Sequence, residues 1–189
     1  MNARKLLPLG AALLFAVPGL VACGSDSPSG DAAQAESTGS AAKVLPVDKN
    51  PITNTSTDAF LEVTYAALED NVDPATGGAV NDCLELTLSN TGPDPLTDIE
   101  VYYEFTDVTT AKHEAYHQPL DGLEIPAGGE ETVFFDNKSG AAHYPENEFS
   151  LYRSSANQVD VAVQASAVGA KIATATASKE AGTGEEADD

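Results

Sequence analysis

The sequence predicts an all-β fold: a β-sandwich of about seven to eight strands, with a disordered linker before it and an acidic tail after it. Three observations carry this. Between residues 50 and 178 apolar side chains recur with a period of two, clusters of turn-forming residues interrupt that period, and no long amphipathic helix is present. All the aromatic residues of the chain after residue 22 fall in this window.

The first run is Phe60 to Leu68. In the second, Leu84, Leu86 and Leu88 alternate with Cys83, Glu85 and Thr87; in the third, Ile99, Val101, Tyr103 and Phe105 alternate with Glu100, Tyr102, Glu104 and Thr106. Alternation of this kind suits a strand with one face on a core and one toward water. Further runs at Glu131–Phe135, Phe149–Tyr152, Val159–Ala165 and Ile172–Ala177 complete the set. Turns are expected at Asn90-Thr91-Gly92-Pro93-Asp94-Pro95, Pro126-Ala127-Gly128-Gly129, Asn137-Lys138-Ser139-Gly140 and Val168-Gly169-Ala170, where residues that tolerate positive φ or preset φ gather. The register implied by the alternation points Leu86, Val101, Tyr103, Phe105, Val133 and Val161 into one core.

Charge excludes whole classes of function. The 189 residues hold 30 Asp and Glu against 9 Lys and Arg, a formal charge of −21. Affinity for nucleic acid comes largely from cationic side chains that displace condensed counterions, so no nucleic-acid partner is expected. Met1 is the sole methionine, which removes the thioether ligands of soft copper sites. No cofactor is expected.

The N-terminus carries an address. Arg4 and Lys5 precede an apolar stretch, Leu6 to Val21, broken by Pro8, Gly10, Pro18 and Gly19. That layout is a signal peptide's, and it is too short and interrupted for a spanning helix of about 20 apolar residues. Leu20-Val21-Ala22-Cys23 at its end resembles a bacterial lipobox. The resemblance implies cleavage before Cys23 and a diacylglyceryl group on its sulfur. Residues 1–22 would then be a lipoprotein signal peptide and 23–49 the lipidated cysteine with a flexible linker. Residues 50–178 would form the sandwich domain and 179–189 an acidic disordered tail. A coil of that length separates anchor and domain by roughly 25–30 Å. The expected location is the extracytoplasmic face of the bacterial cell membrane, lipid-anchored, with the membrane as one partner through the lipid on Cys23 and an envelope or extracellular protein as another.

Within the window, Leu88-Ser89-Asn90-Thr91-Gly92, Leu96 to Asp107 and Leu123-Glu124-Ile125-Pro126-Ala127-Gly128-Gly129-Glu130 resemble immunoglobulin-like modules of the FxLYD and CARDB type on bacterial envelope proteins. The resemblance covers about residues 84–135, and Phe105-Thr106-Asp107 lacks the Leu-Tyr pair of the FxLYD pattern. Such modules are typically not enzymes. The functional expectation is therefore a cell-envelope lipoprotein that presents a non-catalytic binding or interaction module.

One motif offers the alternative of a zinc-dependent hydrolase. His113-Glu114-Ala115-Tyr116-His117 satisfies H-E-x-x-H, in which two histidines one helical turn apart share a zinc and the glutamate activates its water. That chemistry needs a helix. The flanks here are strand-like, with Val108-Thr109-Thr110 before the motif and Pro119 after it, and a strand would set the two histidines roughly 13 Å apart.

Weaker candidates remain. With Cys23 lipidated, Cys83 would be a lone thiol, placed by alternation opposite the Leu84–Leu88 face. Glu69, Asp70, Asn71, Asp73, Asn81 and Asp82 make an oxygen-rich loop with no EF-hand spacing. An outward interaction patch is expected from Tyr102, Tyr116 and Tyr144, with Glu100 and Glu104 beside Tyr102, because tyrosine supplies contact area at low entropy cost.

Overall fold

Period-two patterning becomes eight strands in two four-stranded sheets. The computed structural model of the protein describes residues 44–69, 75–76 and 83–182. Cys23 and most of the acidic loop and tail lie outside the described residues. The elements are β1 Leu61–Glu69, β2 Cys83–Asn90, β3 Glu100–Asp107, β4 His113–Pro119, β5 Glu130–Phe135, β6 His143–Tyr144, α1 Leu151–Ser154, β7 Val159–Ala167 and β8 Ala170–Lys179. One sheet has the order β1-β2-β5-β6 and the other β4-β3-β7-β8. Every strand pair is antiparallel except β5 with β6. With β6 set aside, this is the A-B-E and C′-C-F-G order of an immunoglobulin-type sandwich.

The core lies between the sheets where the alternation puts it. Leu86, Val101, Tyr103, Phe105, Val133 and Val161 are each at most 3 % exposed. Tyr103 is the hub of an aromatic cluster, with ring centroids 5.3–5.4 Å from those of Phe105, Tyr116 and Phe135. The β7–β8 hairpin turns at Gly169, whose φ of +79° favours a residue without Cβ.

Three features differ from the sequence expectation. Phe149–Tyr152 is not a strand. Ser150 caps a single helical turn, its hydroxyl accepting the Arg153 N–H at 3.4 Å. Tyr152 is buried and donates its hydroxyl proton to the Glu69 carbonyl, while Phe149 stands in solvent. One turn is too short to show a helical period.

The domain also begins before residue 50. Residues 44–60 form a strap over the outer face of the β4-β3-β7-β8 sheet. Val47 N–H bonds the Ala115 carbonyl at 2.8 Å, Asn50 Nδ2 bonds Gln164 at 2.9 Å, and Asn54 Nδ2 reaches Ser166 Oγ and the carbonyls of Ala167 and Ala170 at 2.9–3.2 Å. The strap is held by polar groups, so hydropathy gave no sign of it. At the other end, Lys179 closes β8 instead of opening the tail: it is 2 % exposed, and its ammonium donates to the carbonyls of Tyr152 and Ser155 at 2.7 and 2.6 Å.

Candidate functional site

The H-E-x-x-H residues occupy β4, an extended edge strand of its sheet. Four residue steps along the strand from His113 to His117 place them roughly 13 Å apart, so they cannot chelate one zinc, and the hydrolase alternative is corrected on that ground. Glu114 points to the opposite face from both histidines. Burial raises its carboxyl's affinity for a proton, opposed by a hydrogen bond from the Leu151 N–H. His117 Nε2 instead meets Glu100 Oε2 at 2.8 Å on the outer face. Among the described residues, no group of three or more His, Cys, Asp or Glu side chains could hold a metal ion.

The tyrosine patch is corrected as well. Tyr116 is 1 % exposed between the sheets, stacked on Tyr103, its hydroxyl accepting a hydrogen bond from Asn147. Tyr102 is on the outer face but only 9 % exposed, because the strap crosses β3 between its attachments at Ala115 and Gln164; its hydroxyl bonds Glu104 at 3.1 Å. Tyr144 belongs to the other sheet, its ring 5.9 Å from that of Phe135. The three tyrosines thus share no surface; Glu100 and Tyr144 border different clefts. Cys83 also differs from the solvent-side thiol expected: it is wholly buried and disulfide-bonded. The chain's other cysteine, Cys23, lies outside the described residues. Of the oxygen-rich loop, Glu69 alone is described.

Concave surface gathers at one end of the sandwich, around the turn after β4. A cleft of about 370 Å³ is lined by Asp98, Ile99, Glu100, Pro119, Leu120, Asp121, Gly122, Leu123 and Val168. Beside it, a second cleft of about 330 Å³ is lined by Asp121, Gly122, Leu123, Glu124, Glu131, Gly140, Ala141, Ala142, His143 and Tyr144. Asp121, Gly122 and Leu123 form the shared wall. The lining carries five carboxylates and no lysine or arginine. Gly122 can turn the chain here because its φ is +80° and nothing lies within 4 Å of where a Cβ would sit.

The negative field is felt inside the second cleft. Burial, and after it the Asp121 charge, push the Tyr144 hydroxyl above its ordinary range. His143 sits in the same wall, paired with Asp136, whose side chain is 2 % exposed. These two residues are seven apart, and they meet because the turn of residues 137–142 takes positive φ at Asn137, Gly140 and Ala142 and brings β6 back alongside β5. Sequence reasoning saw the Asn137–Gly140 turn but not that it returns His143 to Asp136.

No protein-family model matches the chain, and no curated protein matches it. A solved structure of Pseudomonas fluorescens alkylpurine DNA glycosylase AlkC, bound to DNA containing an abasic site analog, is similar to it at 18 % identity and a TM-score of 0.34, over 65 % of this chain and 31 % of that one. The shared part is thus less than a third of AlkC. AlkC is an enzyme bound to DNA, which runs against the expected non-catalytic envelope module and against the expected partners, a membrane or envelope protein with nucleic acid excluded. A likeness this distant assigns neither glycosylase activity nor DNA binding to the present chain.

Proposed function

We propose that the domain binds a small cationic ligand in the paired clefts around the Leu120–Glu124 turn. The observation that carries this is the lining: Asp98, Glu100, Asp121, Glu124 and Glu131 face two adjoining concavities without a lysine or arginine among them. Clustered like charges in clefts with low-dielectric walls focus field and raise the local concentration of counter-ions. Each cleft is in the size range of small-molecule sites, roughly 300–1,000 Å³. Asp121 borders both, so it should matter most.

The test is calorimetric titration of the full mature chain with 1,4-diaminobutane at low and high salt. Saturable binding that weakens with salt and is lost in Asp121→Asn, but kept in Glu62→Gln on the exposed side of β1, is the expected result. Absence of saturable binding, or equal effects of the two substitutions, overturns the proposal.

Export is a separate part of the reading: the basic head, apolar stretch and Leu20–Cys23 lipobox support lipidation of Cys23 on the extracytoplasmic face of a bacterial membrane. One sulfur cannot be both a thioether and half of a disulfide. The lipid reading therefore requires that the disulfide at Cys83, for which Cys23 is the sole partner within the chain, be open in the anchored protein.

A further inference from the structure

We infer that His143 Nε2 is a fixed hydrogen-bond acceptor in the second cleft and makes the site select primary ammonium ions over quaternary ones; this rests on the cationic-ligand reading. His143 Nδ1 is 3.0 Å from both carboxylate oxygens of Asp136. A carboxylate only accepts, so Nδ1 carries a proton, and in the neutral ring Nε2 then keeps its lone pair. Asp136 is itself held by the Lys138 backbone N–H at 3.1 Å and by the Lys138 ammonium at 3.6 Å. The ring plane is fixed by Phe134, stacked at 5.2 Å and 22°. A Cβ on Gly140, which has a φ of +137°, would lie 3.5 Å from His143 Cδ2, so that glycine backs the ring's other edge. Among the described residues, Nε2 has no protein partner.

The ring lines the same cleft as Glu124, Glu131 and Tyr144. The two kinds of group do different work there. Carboxylates attract any cation and accept N–H bonds from those that have them, and the imidazole lone pair adds one acceptor that gains only from a ligand that brings an N–H to it. Primary ammonium groups have such a donor and trimethylammonium groups do not. Asp136 is a positioning residue in this scheme, since it sets which ring nitrogen is bare.

The experiment compares 1,4-diaminobutane with its bis(trimethylammonium) counterpart by calorimetry at pH 8. The proteins are the full chain and its His143→Phe and Asp136→Asn variants, each checked for an unchanged melting profile. Hydrogen bonds to charged groups are strong enough that the wild type should prefer the diamine by about tenfold. In His143→Phe the preference should fall, the carboxylates alone now accepting from the diamine, while both ions still bind. In Asp136→Asn, nitrogen-15 spectra of the His143 ring should show the proton moving from Nδ1 toward Nε2, with the preference falling in step. If both ions bind and their ratio is the same in wild type and His143→Phe, or if Nε2 of the wild-type ring carries a proton at pH 8, this inference is overturned and the cleft reading stands. If neither ion binds the wild type, both fall together.

Discussion

Replacing Asn54 with alanine tests whether the strap is part of the fold. Asn54 Nδ2 has two protons and three acceptors within reach: Ser166 Oγ at 3.0 Å, the Ala167 carbonyl at 3.2 Å and the Ala170 carbonyl at 2.9 Å. Its Oδ1 accepts the Ser56 N–H at 2.8 Å, which turns the strap toward β1. Ser166, Ala167 and Ala170 are 3 %, 1 % and 0 % exposed, so water replaces the lost donor poorly. A buried polar group left without a partner costs about 1–3 kcal/mol. Because Asn54 itself is only half-buried, some solvent reaches the gap, and a total of about 2–3 kcal/mol is expected. For a domain of this size that corresponds to a fall in melting temperature of roughly 8–12 °C. Asn50→Ala is the internal control. It removes the Nδ2 bond to the Gln164 side chain, which can turn to water, and the Ile52 N–H bond to Oδ1, the counterpart of Ser56 on Asn54, and should cost about 1 kcal/mol. The assay is urea unfolding followed by tyrosine near-UV circular dichroism, since the chain has six tyrosines and no tryptophan. An Asn54→Ala variant within about 0.5 kcal/mol of wild type, or indistinguishable from Asn50→Ala, refutes the reasoning.

Other perturbations probe the core, the acid limit and the sulfur. Leu86 is fully buried in β2 between Ala66 of β1 and Val133 of β5, so Leu86→Ala should cost about 2–5 kcal/mol in the same urea assay; a loss under about 1 kcal/mol would mean that its site collapses freely. Asp107 accepts hydrogen bonds from Asn157 and Ser155 side chains and from the Thr109 and Thr110 N–H groups, and these, the Asn157 bond first, hold its carboxyl well below the usual carboxylate range. A depressed folded-state pKa gives stability that is present above the unfolded value, about 3.9, and is lost as pH falls below it. The melting-temperature gap between wild type and Asp107→Asn should therefore narrow from pH 7 to pH 3, and a constant gap would contradict the assignment. For the sulfur, intact mass of membrane-extracted protein should show the diacylglyceryl addition on the wild type and its absence in Cys23→Ser. A wild-type mass without lipid that rises by two hydrogens on reduction would replace the anchor with an intrachain disulfide at Cys83.

The fold was legible where alternation was strong. In β2, β3, β5 and β7 large apolar residues stand at every second place, and Leu86, Val101, Tyr103, Phe105, Val133 and Val161 all reach the core as that pattern requires. It failed on β4, whose His-Glu-Ala-Tyr-His-Gln run reads as polar throughout. Gln118 and Tyr116 nevertheless point between the sheets, because Gln118 Nε2 finds the Tyr103 hydroxyl at 2.8 Å and Asn147 finds that of Tyr116 at 3.0 Å. Both partners lie on other elements, and local pattern does not encode such pairings. The tyrosine patch failed for the same reason, since it treated polar neighbours as a sign of exposure. The clefts were illegible too: Asp98 comes from the loop before β3 and Val168 from the β7–β8 turn at the same end of the sheet, and their nearness to Asp121 depends on register, not on spacing.

The same registers set the site's direction relative to the chain ends. Val47 attaches at Ala115, level with Glu104 and Ala162; Asn50 attaches at Gln164, level with Tyr102 and His117; Asn54 attaches at Ser166, level with Glu100. The strap therefore advances from its start toward the end of the sheet where Pro119, Asp121 and Val168 form the first cleft. Read backward, it leads toward the β3–β4 turn. At the other terminus, Lys179 pairs with Val159, which pairs with Asp107 at that same turn. From the Thr106 level to the Glu100 level is six residues, roughly 20 Å of strand. Both ends of the described chain thus leave from the side opposite the clefts. A cation entering the Asp121 wall therefore meets neither the strap's entry nor the close of β8.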